Sequence, residues 1–351
     1  MSDSHIKTVD DLKHYLHLAM QLEHATIPVY ITALYSIKPG TNTDASHIMR
    51  VIAVEEMLHL TLVANLINAI GGTPDLTVPG FVPQFPTPLP DGENDFKVSL
   101  MKFSKEAVQT FCKIERPGQV SPGKERLRKK VSAGEQMGAP KHDETLSYYS
   151  IGEFYAEIRH GFETLHAQMG EALFCGDPAR QVTPEQYYSG GGKLLVVSDI
   201  DSARAATELI AGQGEGLGGH VYDADGELSH YFRLDQLLQG RYYRHGDQPH
   251  APSGPAFGVD WDAVLPIKTD ARLSDFAADP ELHAAASAFN SGYADFLAQL
   301  TQAFNGDPTL LMKAVHSMFR VRDAILQLMH HPLPGVEGVN AAPTFEIAGR
   351  A

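Results

Sequence analysis

Apolar positions recur at spacings of three and four along most of the chain, the pattern of helices buried along one face. In residues 9–36 that face carries Leu12, Leu16, Ala19, Glu23 and Ile27. Thr8 or Asp10 is the expected N-cap. Pro28 is expected to kink this helix or end its regular part, and Pro39-Gly40 closes the segment. A second helix is predicted over 44–70, with Ile48, Ile52, Glu56, His59, Val63 and Ile70 on one face and Gly71-Gly72 as its stop. Six prolines, at 74, 79, 83, 86, 88 and 90, make 73–95 a long loop.

A short helix is expected over 99–114. Residues 116–142 are rich in Lys and Arg with scattered Gly and Pro, which predicts a mobile insertion. The third long helix is placed at 143–175, ended by Gly176-Asp177-Pro178. Residues 193–198 (KLLVVS) read as a short strand or as the entry to a helix over 199–213. The segment GEGLGGHVYDADG (214–226) breaks that helix, because glycine costs about 1 kcal/mol at an interior helix position. Helix is expected to resume over 227–240. Residues 247–275 are irregular, and two final helices follow at about 279–304 and 307–330. No repeat is present, and the pattern is that of one all-α bundle with helical additions.

The chemistry lies in carboxylates and histidines on faces that the apolar pattern buries. Glu56-Met57-Leu58-His59 is an ExxH, and at i and i+3 both side chains leave the same face of a helix. Carboxylate-bridged di-iron bundles use one Glu from each of two helices and an ExxH from each of the other two. The chain offers that order: Glu23, then Glu56 and His59, then Glu153, then Glu227 and His230 in Glu227-Leu228-Ser229-His230. Burying one carboxylate alone is costly, and a shared cation explains several on one bundle face.

Two choices stay open. Glu163-Thr164-Leu165-His166 is a third ExxH, but at about 100° per residue Glu163 lies roughly 80° around the helix from Glu153. Glu153 is preferred because Ile151, Phe154 and Ile158 flank it. Glu215, in QGEG, competes with Glu227 as the carboxylate beside His230, or adds to it. His24, Glu55, Glu157, His160 and His220 are read as partners of the ligands or as surface groups.

Charge and composition narrow the partners. Lys and Arg number 28 against 43 Asp and Glu, a net charge of -15, which argues against nucleic-acid binding and against an anionic membrane surface. The two cysteines, Cys112 and Cys175, form no framework or CxxC. The start of the chain lacks the features of a signal peptide, and no run reaches the ~18 apolar residues of a membrane span. The expectation is a soluble, cytoplasmic protein. GGGK (190–193) lacks the spacing of a P-loop, and no nucleophile elbow is present.

The stretches LEHATIPVY (22–30), AVEEMLHLTLVANLINAIGGTP (53–74), SIGEFYAEI (150–158), QGEG (213–216) and ELSHYFRL (227–234) resemble the ferritin-like domain family named after the iminophenyl-pyruvate dimer synthase of violacein biosynthesis. The likeness runs from about residue 10 to 240, and APTFEI (342–347) is similar to standalone members. The resemblance implies a ferritin-like four-helix bundle with additional C-terminal helices and long loop insertions. It implies a metal site at Glu23, Glu56, His59, Glu153, Glu215 and His230, and does not settle Glu227.

The expected organisation is a metal-binding bundle over 1–245, with insertions at about 73–142, and a C-terminal helical extension over 246–351 packed on it. The expected function is that of an oxidoreductase, with secondary metabolism as its candidate setting, holding two Fe ions (Mn or a mixed Mn/Fe pair being the alternative) and using O2 on a small organic substrate. An oligomer is compatible with this reading. The rival readings are iron handling, as ferroxidase or store, and a non-enzymatic metal-binding scaffold.

Overall fold

A computed structural model of the chain describes residues 5–88, 96–117, 150–188, 190–215, 220–223 and 226–347. Among these are eight α-helices and no strand: α1 (Val9–Ser36), α2 (Thr43–Ala69), α3 (Lys105–Ile114), α4 (Ile151–Met169), α5 (Ile200–Glu215), α6 (His230–Gln239), α7 (Pro280–Phe304) and α8 (Leu310–Met329). The expected insertion at 116–142 and the expected start of the third long helix at 143 fall almost wholly outside the described residues.

Local chemistry sets the ends of these helices. Thr8 caps α1 through a reciprocal pair: its hydroxyl accepts from the Asp11 N–H at 3.1 Å, and the Asp11 carboxylate accepts from the Thr8 N–H at 2.9 Å. The helix runs on through Pro28 to Ser36. Gly71, at φ +69°, ends α2 in the left-handed region that glycine adopts without strain. Ser150 caps α4 by accepting from the Glu153 N–H, and Asp279 caps α7 ahead of Pro280.

One open choice is resolved and one expected element differs. Residues 193–198 form no strand. Their backbone is tied by side chains instead, the Val197 N–H donating to Gln181 Oε1 and the Leu195 carbonyl accepting from Asn65 Nδ2. The helix expected from 227 starts at His230, because a bridge between Tyr222 and Leu228 and a turn at Gly226 hold Glu227 outside it.

The helices α1, α2, α4 and α5 close a four-membered ring, α1 on α2, α2 on α5, α5 on α4 and α4 on α1. The short helices α3 and α6 pack on each other, and α6 also lies on α2 and α5. The pair α7 and α8 packs on α2 and α1. Phe345, near the C-terminus, stacks edge-on against Phe289 and Tyr293 of α7.

By length and mean hydropathy α2 is apolar enough to cross a membrane, although Glu55, Glu56 and His59 interrupt any unbroken apolar run. However, 89% of its most apolar window is buried inside the fold. It is the central core helix, and its two polar ligand candidates are enclosed with it.

Candidate metal centre

Glu23 lies midway along α1 and is 3% exposed; Glu56 and His59 lie one turn apart on α2 and are 3% and 2% exposed. Helix periodicity aims all three at the space between α1 and α2. His59 Nδ1 stands 3.2 Å from Glu23 Oε2 and 3.9 Å from Glu56 Oε2. On the other side of Glu56, His230 Nδ1 stands 3.1 Å from Glu56 Oε1 and 3.5 Å from Oε1 of Glu115. Among the described residues, two groups of three therefore bring their ligand atoms within 4.8 Å of one another: Glu23, Glu56 and His59, and Glu56, Glu115 and His230. Glu56 belongs to both, with one carboxylate oxygen facing each.

The sequence reading named four of these five residues and missed Glu115. Glu115 caps the C-terminal end of α3. A signal was present in the pattern. Val108, Phe111 and Glu115 follow at intervals of three and four, so Glu115 continues the buried apolar stripe of α3 and is itself 1% exposed.

The other three expected ligands are in neither group. Glu153 sits half-buried in the first turn of α4. Glu215, the last residue of α5, is buried and accepts a hydrogen bond from the Gly152 N–H at 2.6 Å. A carboxylate there complements the unpaired N–H groups at the start of α4. Gly152 permits this approach, since a Cβ there would lie 2.6 Å from Glu215 Oε2. Glu227 is exposed and pairs with Arg233 at 3.1 Å. The helical i, i+3 geometry assumed for Glu227 and His230 does not apply, because the helix begins after Glu227.

Each ligand candidate has a partner behind it. The Tyr155 hydroxyl donates to Glu23 Oε1 and the Tyr30 hydroxyl to Glu115 Oε1, both at 2.5 Å. The Thr26 hydroxyl lies 3.0 Å from Glu56 Oε2. His59 Nε2 is 2.9 Å from Gln213 Oε1, and the Gln213 amide is oriented by donating to the Gly191 carbonyl. His230 Nε2 is 2.8 Å from Glu55 Oε2, and Glu55 in turn lies 3.7 Å from Arg233. An acceptor at each Nε2 holds a proton there, so each Nδ1 is the nitrogen that can give its lone pair to a cation in place of a proton. The two imidazoles stack at 5.4 Å.

The electrostatics are those of a site short of positive charge. Burial, then the neighbouring Glu115 and Glu23 carboxylates, push Glu56 up to about 8, against the opposing pull of His230. Burial alone would lower His59 and His230, yet the carboxylates around them hold both above the ordinary imidazole range, His230 well above it. Burial would raise Glu23, but His59 and Tyr155 outweigh it and hold Glu23 low.

The residues fit a metal pair. His230 Nδ1 is buried without a hydrogen bond although a carboxylate oxygen lies 3.1 Å away. That is the arrangement of two donors aimed at a common third centre. Three carboxylates and two imidazoles form a mixed oxygen and nitrogen set suited to iron or manganese.

Comparison with known proteins agrees with this architecture. Dichlorochromopyrrolate synthase from Lentzea aerocolonigenes is 28% identical over 320 residues, which cover 84% of this chain and 29% of that protein. The chain thus spans less than a third of that relative's length. A ferritin-like protein from Caulobacter vibrioides shares the fold at a TM-score of 0.61 and 24% identity, over 92% of this chain and 95% of the other. The ferritin-like family model matches residues 16–239, well over half of the chain and all five residues of the two groups. The chain belongs to the ferritin-like family.

Proposed function

We propose that this chain is a dinuclear carboxylate oxidoreductase, holding two iron ions and using O2 on a small organic substrate. The observation that carries the reading is Glu56, whose two oxygens each face a separate carboxylate and histidine pair. Glu23 and His59 would hold one ion, Glu115 and His230 the other, with Glu56 shared. A pair of Fe(II) ions so held supplies two electrons for the reduction of O2; manganese, alone or mixed with iron, suits the same donors.

The protein's own contribution is position and enclosure. Tyr155 holds Glu23 Oε1, the oxygen turned away from His59, and Tyr30 holds Glu115 Oε1, the oxygen that also faces His230, which fixes how each carboxylate presents itself. Glu55 and Gln213 fix the imidazole tautomers. The ligand candidates are themselves almost fully buried in an apolar core, and a dry site strengthens every charge interaction inside it. The substrate class is supported by the relative named above, whose name assigns it an organic product, dichlorochromopyrrolate.

The test is metal analysis followed by oxygen uptake. After iron-replete expression the folded protein should carry about two transition-metal ions per chain. Anaerobically loaded Fe(II) protein should then consume O2. Absence of metal from folded protein overturns the reading, and uptake of iron far beyond two per chain replaces it with storage.

A further inference from the structure

The two groups hold the same kinds of ligand, and their histidines are backed differently. Each has a terminal glutamate with a tyrosine hydroxyl on its Oε1 at 2.5 Å. Each has a histidine with Nδ1 forward, and both share Glu56. The difference between the two imidazoles lies at Nε2. His59 gives its Nε2 proton to the neutral amide oxygen of Gln213, and His230 gives its own to the carboxylate of Glu55.

A carboxylate on the far nitrogen makes an imidazole a stronger donor than an amide does, and it adds a negative charge near the ion. Removing such a partner typically costs about 10–100-fold in metal affinity. Arg233 does not cancel the effect. It lies 3.7 Å from Glu55 Oε1 and divides its charge with Glu227 at 3.1 Å. Glu55 itself is buried, 6% exposed, so its interaction with His230 is little screened.

We infer that the two metal positions are inequivalent and fill in order, the Glu56, Glu115 and His230 position first and the Glu23, Glu56 and His59 position second, because Glu55 backs His230 where Gln213 backs His59. This rests on the dinuclear reading above and adds to it the identity of the tighter position.

The experiment is calorimetric titration of metal-stripped, full-length protein with Co(II), at mildly alkaline pH where protons compete least. Wild type should bind two ions in two resolved steps. Glu55→Gln should weaken the first step about 10–100-fold and leave the second within a few-fold. Gln213→Glu should strengthen the second step and leave the first. His59→Ala should retain one ion at the wild-type first-step affinity, and His230→Ala should retain one at the weaker affinity. These variants keep the inference testable if Glu55→Gln does not fold. Two ions bound with Glu55→Gln altering only the second step, or neither step, overturns the inference and leaves the dinuclear reading intact. No Co(II) bound by the folded wild type overturns both.

Discussion

Glu23, Glu56 and His59 project from the interiors of α1 and α2, whereas Glu115 and His230 stand at the last residue beyond α3 and the first residue of α6. A side chain inside a long helix is aimed by the regular turn on both sides of it, so its direction follows from spacing. A side chain at a helix end is aimed by whatever caps and loops fix that end. The first half of the centre is therefore stiff by construction. The second depends on the packing of α3 against α6 and on the turn at Gly226 that delivers Ser229 and His230 to the start of their helix.

The largest test of this contrast is the residue common to both halves. Glu56→Ala should take metal content from about two ions per chain to near zero in elemental analysis, with the helical circular-dichroism signal retained. Because it also removes a buried carboxyl repelled by its neighbours, the metal-stripped variant should melt no lower than metal-stripped wild type. Retention of one full equivalent would show that the halves do not share a ligand. Next in size is Glu115→Ala, expected to lose about one of two ions, while Glu153→Ala keeps both. The reverse result would move the third carboxylate of the centre from α3 to α4.

A pH effect separates the stiff half further. His24, beside Glu23, is buried against Phe81 and Tyr293, and burial lowers it to about 3. The unfolded chain takes up a proton near the ordinary imidazole value of about 6.5, so the unfolded state binds more protons between those values. Stability from this residue is complete above 6.5 and falls as the pH drops, by up to about 1.4 kcal/mol per pH unit. Glu56, raised, acts in the opposite sense until metal replaces its proton, so the quantity to read is the difference between His24→Gln and wild type in denaturant melts from pH 6.5 to 4.5. Equal slopes would mean that His24 charges freely in the folded protein. The smallest effect belongs to a helix end outside the centre. Gly152→Ala pushes a Cβ against Glu215 and should cost about 1–3 kcal/mol in the same melts, with metal content unchanged.

The same contrast explains what could be read from the sequence. The bundle helices, the ExxH on α2 and Glu23 on α1 follow from apolar spacing alone. Glu115 was overlooked because it closes a ten-residue helix and stands one residue before a basic stretch, where composition draws attention away from the stripe it continues. Glu227 was named from an ExxH spacing that carries geometric meaning only inside a helix. The Gly226 turn and the Tyr222–Leu228 bridge that exclude it from α6 depend on contacts between segments. Glu215, expected as a ligand beside His230, is buried and stands in neither group. The partner visible for it, the Gly152 N–H at the start of α4, lies 63 residues away in the chain, beyond any local pattern.

The apolar length of α2 has a consequence for the order in which the protein is made. Its strongest early partner is α1, already synthesised and packed along it as a hairpin. The remaining cover comes from α5, α6 and finally α7, which begins at Pro280, 211 residues after α2 ends at Ala69. At about 5–20 residues per second of synthesis, α2 waits some 10–40 s for its last neighbour. Through that interval the nascent chain presents its most oil-like surface to the ribosome's surroundings, shielded on one side by α1, and the helix that carries Glu56 and His59 is the one with the most to lose from a chance encounter.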